Sequence, residues 1–371
     1  CCLGIGEHMP DTSVAAASDY SDSGATQQRP SQQPVVTFLV PCYNSAAYMG
    51  TCIDSLLVAK DCCEILVVND GSKDATLEVA RDYERRHPDT ITVIDQENAG
   101  WGGGVNKGIA RARGVYFKVI DSDDWVEPEA LGKVLDVLKE HAAPGTQLDL
   151  VFSNFVYDHL VDNTKHAIRY DNLMPQNREF TWSDLNKPRI DQYIMVHATW
   201  YRTEVLRQSG VKLPENVCYM DSYLMLHPLP YVKSMYYVNA DVYQYLIGRE
   251  DQSIGIETVK KRIDQQLMAT RLSIEDYDID EMAAENPQMA ELYSRYISAM
   301  MSTSTIYLFM INTPESLQKN DKLWNYMKTK NPGLYKRVAR SLAGLANRKH
   351  APIRKGVIGA YWLAKKIFKF A

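Results

Sequence analysis

Long apolar runs, cysteine and late acidic residues are all scarce in this chain of 371 residues. No stretch reaches the roughly 18 consecutive apolar residues that a bilayer-spanning helix needs. The chain also opens without the basic segment and apolar run of a secretory signal. The expectation is a protein that folds in water, with its body on the cytoplasmic side. Of the seven cysteines, Cys1 and Cys2 lie in a leader before Met9, which reads as a foreign remnant with Met9 the natural start. Cys62 and Cys63 are neighbours, and none stands at metal-ligand spacing from a histidine. Reduced thiols are the expectation.

No Asp or Glu follows Asp321, while the last 40 residues hold ten Lys and Arg. The net charge of −5 therefore hides a basic tail on a body of about −15. Such a body repels a polyanion, which excludes nucleic acid and leaves an anionic membrane surface as the tail's partner. On a helical wheel Arg354, Lys355, Lys365, Lys366 and Lys369 share one stripe. Val357, Leu363, Ile367, Phe368 and Phe370 lie opposite, as in an interfacial helix. The alternative is a helix packed on the body with a solvated basic face.

What is present is ordinary globular composition, 45% hydrophobic and 23% charged. Residues 10–34 lack bulky apolar side chains and read as a disordered arm. From Val35 onward, apolar strands (Val35–Val40, Glu64–Val68, Ile91–Ile94, Val115–Ile120) alternate with helical stretches (Ala46–Leu57, Lys73–Arg86, Pro128–His141). That alternation predicts an α/β fold with a Rossmann-like, mostly parallel sheet flanked by helices, its ligand beyond the strands' carboxyl ends. A helical C-terminal region follows. The boundaries are 1–34 for the leader and arm, 35–255 for the α/β domain (35–125 and 126–255 as its halves) and 256–371 for the helices.

Three polar clusters fall near strand ends. Asp121-Ser122-Asp123-Asp124-Trp125 bunches carboxylates that repel unless a cation sits among them, and hard oxygen ligands suit Mn²⁺ or Mg²⁺. The alternative is a helix N-cap from Asp123 or Asp124. Asn69-Asp70-Gly71-Ser72 offers an Asp to a nucleotide hydroxyl or base, or else an Asx cap for the next helix. Asn98 to Gly108 clusters glycines that allow close backbone approach to a ligand, or form a flexible turn. It is neither a Walker loop nor a G-x-G-x-x-G fingerprint.

Together with Val36-Thr37-Phe38-Leu39-Val40-Pro41-Cys42-Tyr43-Asn44, these segments resemble the family 2 glycosyltransferases, inverting enzymes of GT-A fold. Trp200 to Leu206 and Tyr219-Met220-Asp221 are similar to the acceptor half of bacterial polysaccharide-type members, although the family often has Glu where Met220 stands and Arg where Val105 stands. The resemblance implies a nucleotide-sugar donor, a glycan or lipid-linked glycan acceptor, and a divalent metal. It implies that Pro41, Tyr43, Asn44, Asp70 and Asn106 hold the donor, with Asp121 at the ribose or metal and Asp123 on the cation. Asp221 would be the catalytic base, and Arg249 a diphosphate contact. Two competing readings are a sugar nucleotidylyltransferase, which would want a basic Gly-rich loop where Pro41 to Ser45 stands, and a silent nucleotide-sugar-binding scaffold.

Overall fold

The computed structural model describes residues 33–160, 163–189, 192–248, 256–347 and 351–368. The expected arm, the 255/256 boundary and Arg249 fall outside these residues. The first half is a run of strand-loop-helix units: β1 (Val36–Cys42), α1 (Met49–Leu56), β2 (Cys63–Asp70), α2 (Thr76–Arg86), β3 (Ile91–Gln96), α3 (Gly100–Arg111), β4 (Tyr116–Val119), β5 (Trp125–Val126) and α4 (Pro128–Glu140). β1 pairs in parallel with both β2 and β4, and β2 with β3. β2 is buried at every position, as a strand covered on both faces by helices must be.

The second half changes character. Its strands are β6 (Leu150–His159), β7 (Thr164–Ile168), β8 (Glu179–Phe180), β9 (Thr199–Arg202) and β10 (Met235–Ile247), with α5 (Thr203–Ser209) and α6 (Asp221–Leu226) between the last two. The sheet order is β3-β2-β1-β4-β9-β6-β10-β5, with β7 on β6 and β8 on β10. β9 is antiparallel to both β4 and β6, and only the β6–β10 pair is parallel in this half. The parallel expectation thus describes the first half, while short connections make the second mixed.

Helices α7 (Ile256–Lys261), α8 (Ile263–Glu275), α9 (Ile279–Glu285), α10 (Pro287–Ile311), α11 (Pro314–Lys330), α12 (Pro332–Ala339), α13 (Leu342–Ala346) and α14 (Ala351–Phe368) follow the sheet. α10 is the spine of this region, burying Tyr293, Tyr296, Ile297 and Met301. α14 rests on it through a Tyr361–Tyr307 hydroxyl contact of 3.4 Å and the Arg354 guanidinium 5.8 Å from the Phe309 ring centroid. Arg354 therefore turns toward the body, not outward with the basic stripe, while Trp362 and Leu363 are exposed.

Candidate active site

Each loop at the carboxyl end of the parallel strands ties to the next. Pro41 closes β1 opposite Val68, and Tyr43 just beyond it is 51% exposed, leaving a ring face open to a base. Asn44 adopts φ 51°, a conformation Asn tolerates better than most residues. Its amide N–H donates to Ser72 Oγ at 3.0 Å, and its Oδ1 accepts from the Lys73 N–H at 2.8 Å. Asn44 is thus a clasp between the β1 and β2 loops. Asp70 is buried, and its Oδ1 accepts from Gln96 Nε2 at 2.6 Å and from the Ala99 N–H at 2.7 Å. Asp70 does not cap the following helix, whose N-cap is Ala75 with no side-chain cap bond; Asp74 accepts locally from the Thr76 N–H at 3.0 Å. Gly71 has φ +67°, and a Cβ there would lie 2.8 Å from the Asn98 nitrogen, so this turn requires glycine.

Most of the glycine-rich segment lies in α3, so the flexible-turn alternative does not hold there. A Cβ on Gly108 would lie 2.5 Å from Leu39 Cδ2; the missing side chain lets α3 lie close against β1. Asn106 donates from Nδ2 to the Leu213 carbonyl at 2.8 Å and accepts from the Leu213 N–H at 2.9 Å. Both ends of its amide hold the loop that leads to Asp221.

The carboxylates after β4 divide by burial. Asp121 is partly exposed; its Oδ1 accepts from Trp101 Nε1–H at 2.8 Å, and its N–H donates to the Tyr243 hydroxyl oxygen at 3.2 Å. Asp123 is likewise half-buried. Asp124 is 1% exposed, with one oxygen accepting from Tyr243 Oη at 2.6 Å and the other from the Leu246 N–H at 2.9 Å. Burial, then the Asp123 and Asp121 charges, push its carboxyl well above the usual range. The helix-cap alternative fails here, because α4 is capped by Glu127, which accepts from the Ala130 N–H at 2.7 Å.

His197 faces this cluster from the turn before β9. Its Nε2 is 3.8 Å from Asp121 Oδ2. Its ring stacks on Tyr245 at 4.6 Å and meets Tyr243 edge-on at 4.6 Å. Ligand atoms of Asp121, Asp124 and His197 lie within 4.8 Å of one another. Hard oxygens with an imidazole nitrogen suit Mn²⁺, so the residues fit a divalent cation. Beneath them Lys118, on β4, is buried and donates to the carbonyls of Val196 (3.1 Å), His197 and Thr199 (3.2 Å).

Asp221 opens α6. Burial raises its carboxyl pKa, His197 opposes that, and the Asp121 charge adds to it. The approach to Asp221 is unusual: Tyr219 sits at φ +66°, rare for a bulky residue and a place where folds store strain at working sites. The far end of α6 is fixed by His227, whose Nδ1 lies 2.7 Å from Asp276 and whose Nε2 lies 2.9 Å from the Ser209 carbonyl. A polar groove of about 710 Å³ lined by Lys133, Arg169 and Asp241 lies elsewhere. Its Gln244 alternates with Tyr243 and Tyr245 on β10 and faces away from the carboxylates.

Sequence reasoning singled out Asp121, Asp123 and Asp221 but gave no role to Lys118 or His197. Only the apolar setting of Lys118 inside a strand was a readable signal.

Residues 37–209 match the family model described as Glycosyl transferase family 2. The chain is 41% identical over 125 residues to EpsH of Bacillus subtilis (strain 168), named as a glycosyltransferase, covering 33% of this chain and 34% of EpsH. It is 32% identical over 149 residues to Glycosyltransferase GlyA of Streptococcus pneumoniae serotype 4 (strain ATCC BAA-334 / TIGR4), covering 37% and 20% respectively. These matches span about a third or less of the relatives' length. In fold, the chain is similar to S. aureus TarS 1-349 in complex with UDP-GlcNAc, with TM-score 0.64 and 19% identity over 89% of this chain and 92% of that one. Residues 37–209 thus belong to the family 2 glycosyltransferases, on a chain with the GT-A fold.

Proposed function

We propose that this chain moves a sugar from a nucleoside diphosphate, a UDP-sugar by analogy with the complex of its structural neighbour, to a hydroxyl of a glycan or lipid-linked glycan in polysaccharide assembly. The observation that carries the reading is the cluster of Asp121, Asp124 and His197, whose ligand atoms lie within 4.8 Å of one another beyond the parallel strands of the segment that matches the family. Asp70 and the exposed Tyr43 ring hold the base, with Pro41, Asn44 and Asn106 shaping the loops around it. Arg249, outside the described residues, is assigned to the diphosphate.

Asp121 and Asp123 supply the carboxylates for Mn²⁺ or Mg²⁺, with Asp124 and His197, whose ligand atoms lie within 4.8 Å of that of Asp121, closing the site; Asp124 also braces the loop through Tyr243 and Leu246. A cation there would offset charge developing on the leaving diphosphate. Asp221 accepts the acceptor hydroxyl's proton as that oxygen attacks the anomeric carbon opposite the diphosphate, so one displacement inverts the centre. The raised carboxyl of Asp221 makes it a better base than an exposed aspartate.

The basic tail supports contact with an anionic membrane surface at the inner face of the cell membrane. Leu342, Leu345, Trp362 and Leu363 are all exposed, and no described helix is long and apolar enough to cross a bilayer. Deleting residues 348–371 should abolish co-sedimentation with anionic vesicles; unchanged sedimentation would sink the idea.

The transferase reading is tested with a panel of nucleotide sugars, scored by thermal stabilisation and slow donor hydrolysis with and without Mn²⁺. One donor should stabilise the wild type only with metal, and Asp123→Asn should lose that effect. A panel in which nothing binds under any metal condition defeats the assignment; binding without hydrolysis or transfer favours a silent scaffold.

A further inference from the structure

We propose that Lys118 is the positioning residue that sets the His197 imidazole against Asp121, and thereby tunes the site's hold on a divalent cation. The cation part rests on the reading above; the positioning part does not.

Lys118 is an anomaly in its strand. β4 lies between β1 and β9 and is buried throughout, where a lysine is out of place unless its ammonium is fully partnered. It is partnered in one place. The three N–H donors of Nζ meet three carbonyl oxygens, those of Val196, His197 and Thr199, which matches the donor count of a protonated ammonium. The rings of Trp200 and Tyr243 flank it, each centroid 5.2 Å away. Every one of these partners belongs to, or touches, the turn that carries His197.

His197 needs such an anchor. A ligating histidine ordinarily has its second ring nitrogen bonded to a carboxylate or carbonyl, which fixes the ring. Here Nδ1 is buried without a hydrogen-bond partner among the described residues. Ring packing from Tyr245, Tyr243 and Phe155 limits tilt, but it does not set how far the turn advances toward Asp121. The ammonium beneath the turn does, by drawing the carbonyls of Val196, His197 and Thr199 onto one point. The backbone clamp takes the place of the missing side-chain bond.

The test uses the whole chain with Lys118→Met, which keeps the stem and removes the donors. In metal-free protein with labelled histidine, the ring resonances of His197 should shift while those of His227 stay. Mn²⁺ affinity, read by electron paramagnetic resonance, should fall on the order of 10-fold, the scale of a lost outer-shell partner. In a His197→Ala background the same substitution should change Mn²⁺ affinity little, because the two act as a unit. Stationary His197 resonances overturn the proposal, as does a loss of Mn²⁺ affinity that is equal in both backgrounds. A wild type that binds no Mn²⁺ overturns the cation reading, and the resonance shift then decides the positioning claim alone. If the Met variant does not fold, Lys118→Gln, whose amide keeps two donors, should show the same changes at smaller size.

Discussion

The two halves of the sheet build one site by different means. In the half from β1 to β4, the site-forming bonds are short in sequence: Asp70 reaches Ala99, 29 positions on, and Asn44 reaches Lys73, also 29 on. The bonds that tie it to the half from β6 to β10 are long: Lys118 reaches Thr199 across 81 positions, Asn106 reaches Leu213 across 107, and Tyr243 reaches Asp124 across 119. The first half holds its residues within strand-turn-helix units; the second depends on closing large loops before any bond can form. On the proposed reading, donor binding belongs to the first half and proton transfer to the second, so substitutions in each should separate the two.

The largest effect should come from Asp221→Asn. Removing a positioned general base lowers turnover by about 10³-fold, or roughly 4 kcal/mol in barrier. Donor affinity, set by the other half, should hold. Turnover within a few-fold of wild type would shift the base elsewhere and break the division. Next in size, Asp124→Ala leaves the Tyr243 hydroxyl and the Leu246 N–H without their buried acceptor and should cost about 3 kcal/mol of stability in urea unfolding. Asp70→Ala, which strands the Ala99 N–H and Gln96 at a more local junction, should cost about 1–2 kcal/mol. Equal costs would mean that the long-range half is no more dependent on its buried bonds than the local one.

What could be read in advance follows the same line. Strand-helix alternation marked β1 to β4 nearly to the residue, because each unit carries its own hydrophobic period and turn residues. Asp121, Asp123 and Asp221 stood out as charges in apolar or motif surroundings. His197 and Tyr243 did not: alone, each is indistinguishable from an ordinary core aromatic, and only the fold brings them to Asp121. The glycines of α3 left two readings open for a physical reason. Glycine is permissive in turns, yet at Gly108 it is required by close approach to Leu39 within a helix, and sequence alone does not separate the two uses.

The smallest effect tests whether the helical region stiffens the catalytic half, and it is one of pH. His227 ends the helix that Asp221 begins, and both its ring nitrogens face acceptors: Asp276 on the α8–α9 connection and the Ser209 carbonyl after α5. Tyr223 donates to the same Asp276 oxygen, and Tyr277 donates to the His227 carbonyl. Two acceptors call for two N–H donors, hence the imidazolium. Burial lowers the His227 pKa, but the hydrogen bond and charge of Asp276, with Ser209, outweigh it and leave the value raised above 6.5. A raised folded-state pKa means the stabilisation is complete below the unfolded value of about 6.5 and is lost as pH climbs through the folded one. The stability gap between wild type and His227→Gln should therefore be wider at pH 6 than at pH 9. A gap that is flat, or that widens with pH, would mean that His227 is neutral in the native state and that the link from the helices to Asp221 is carried by packing alone.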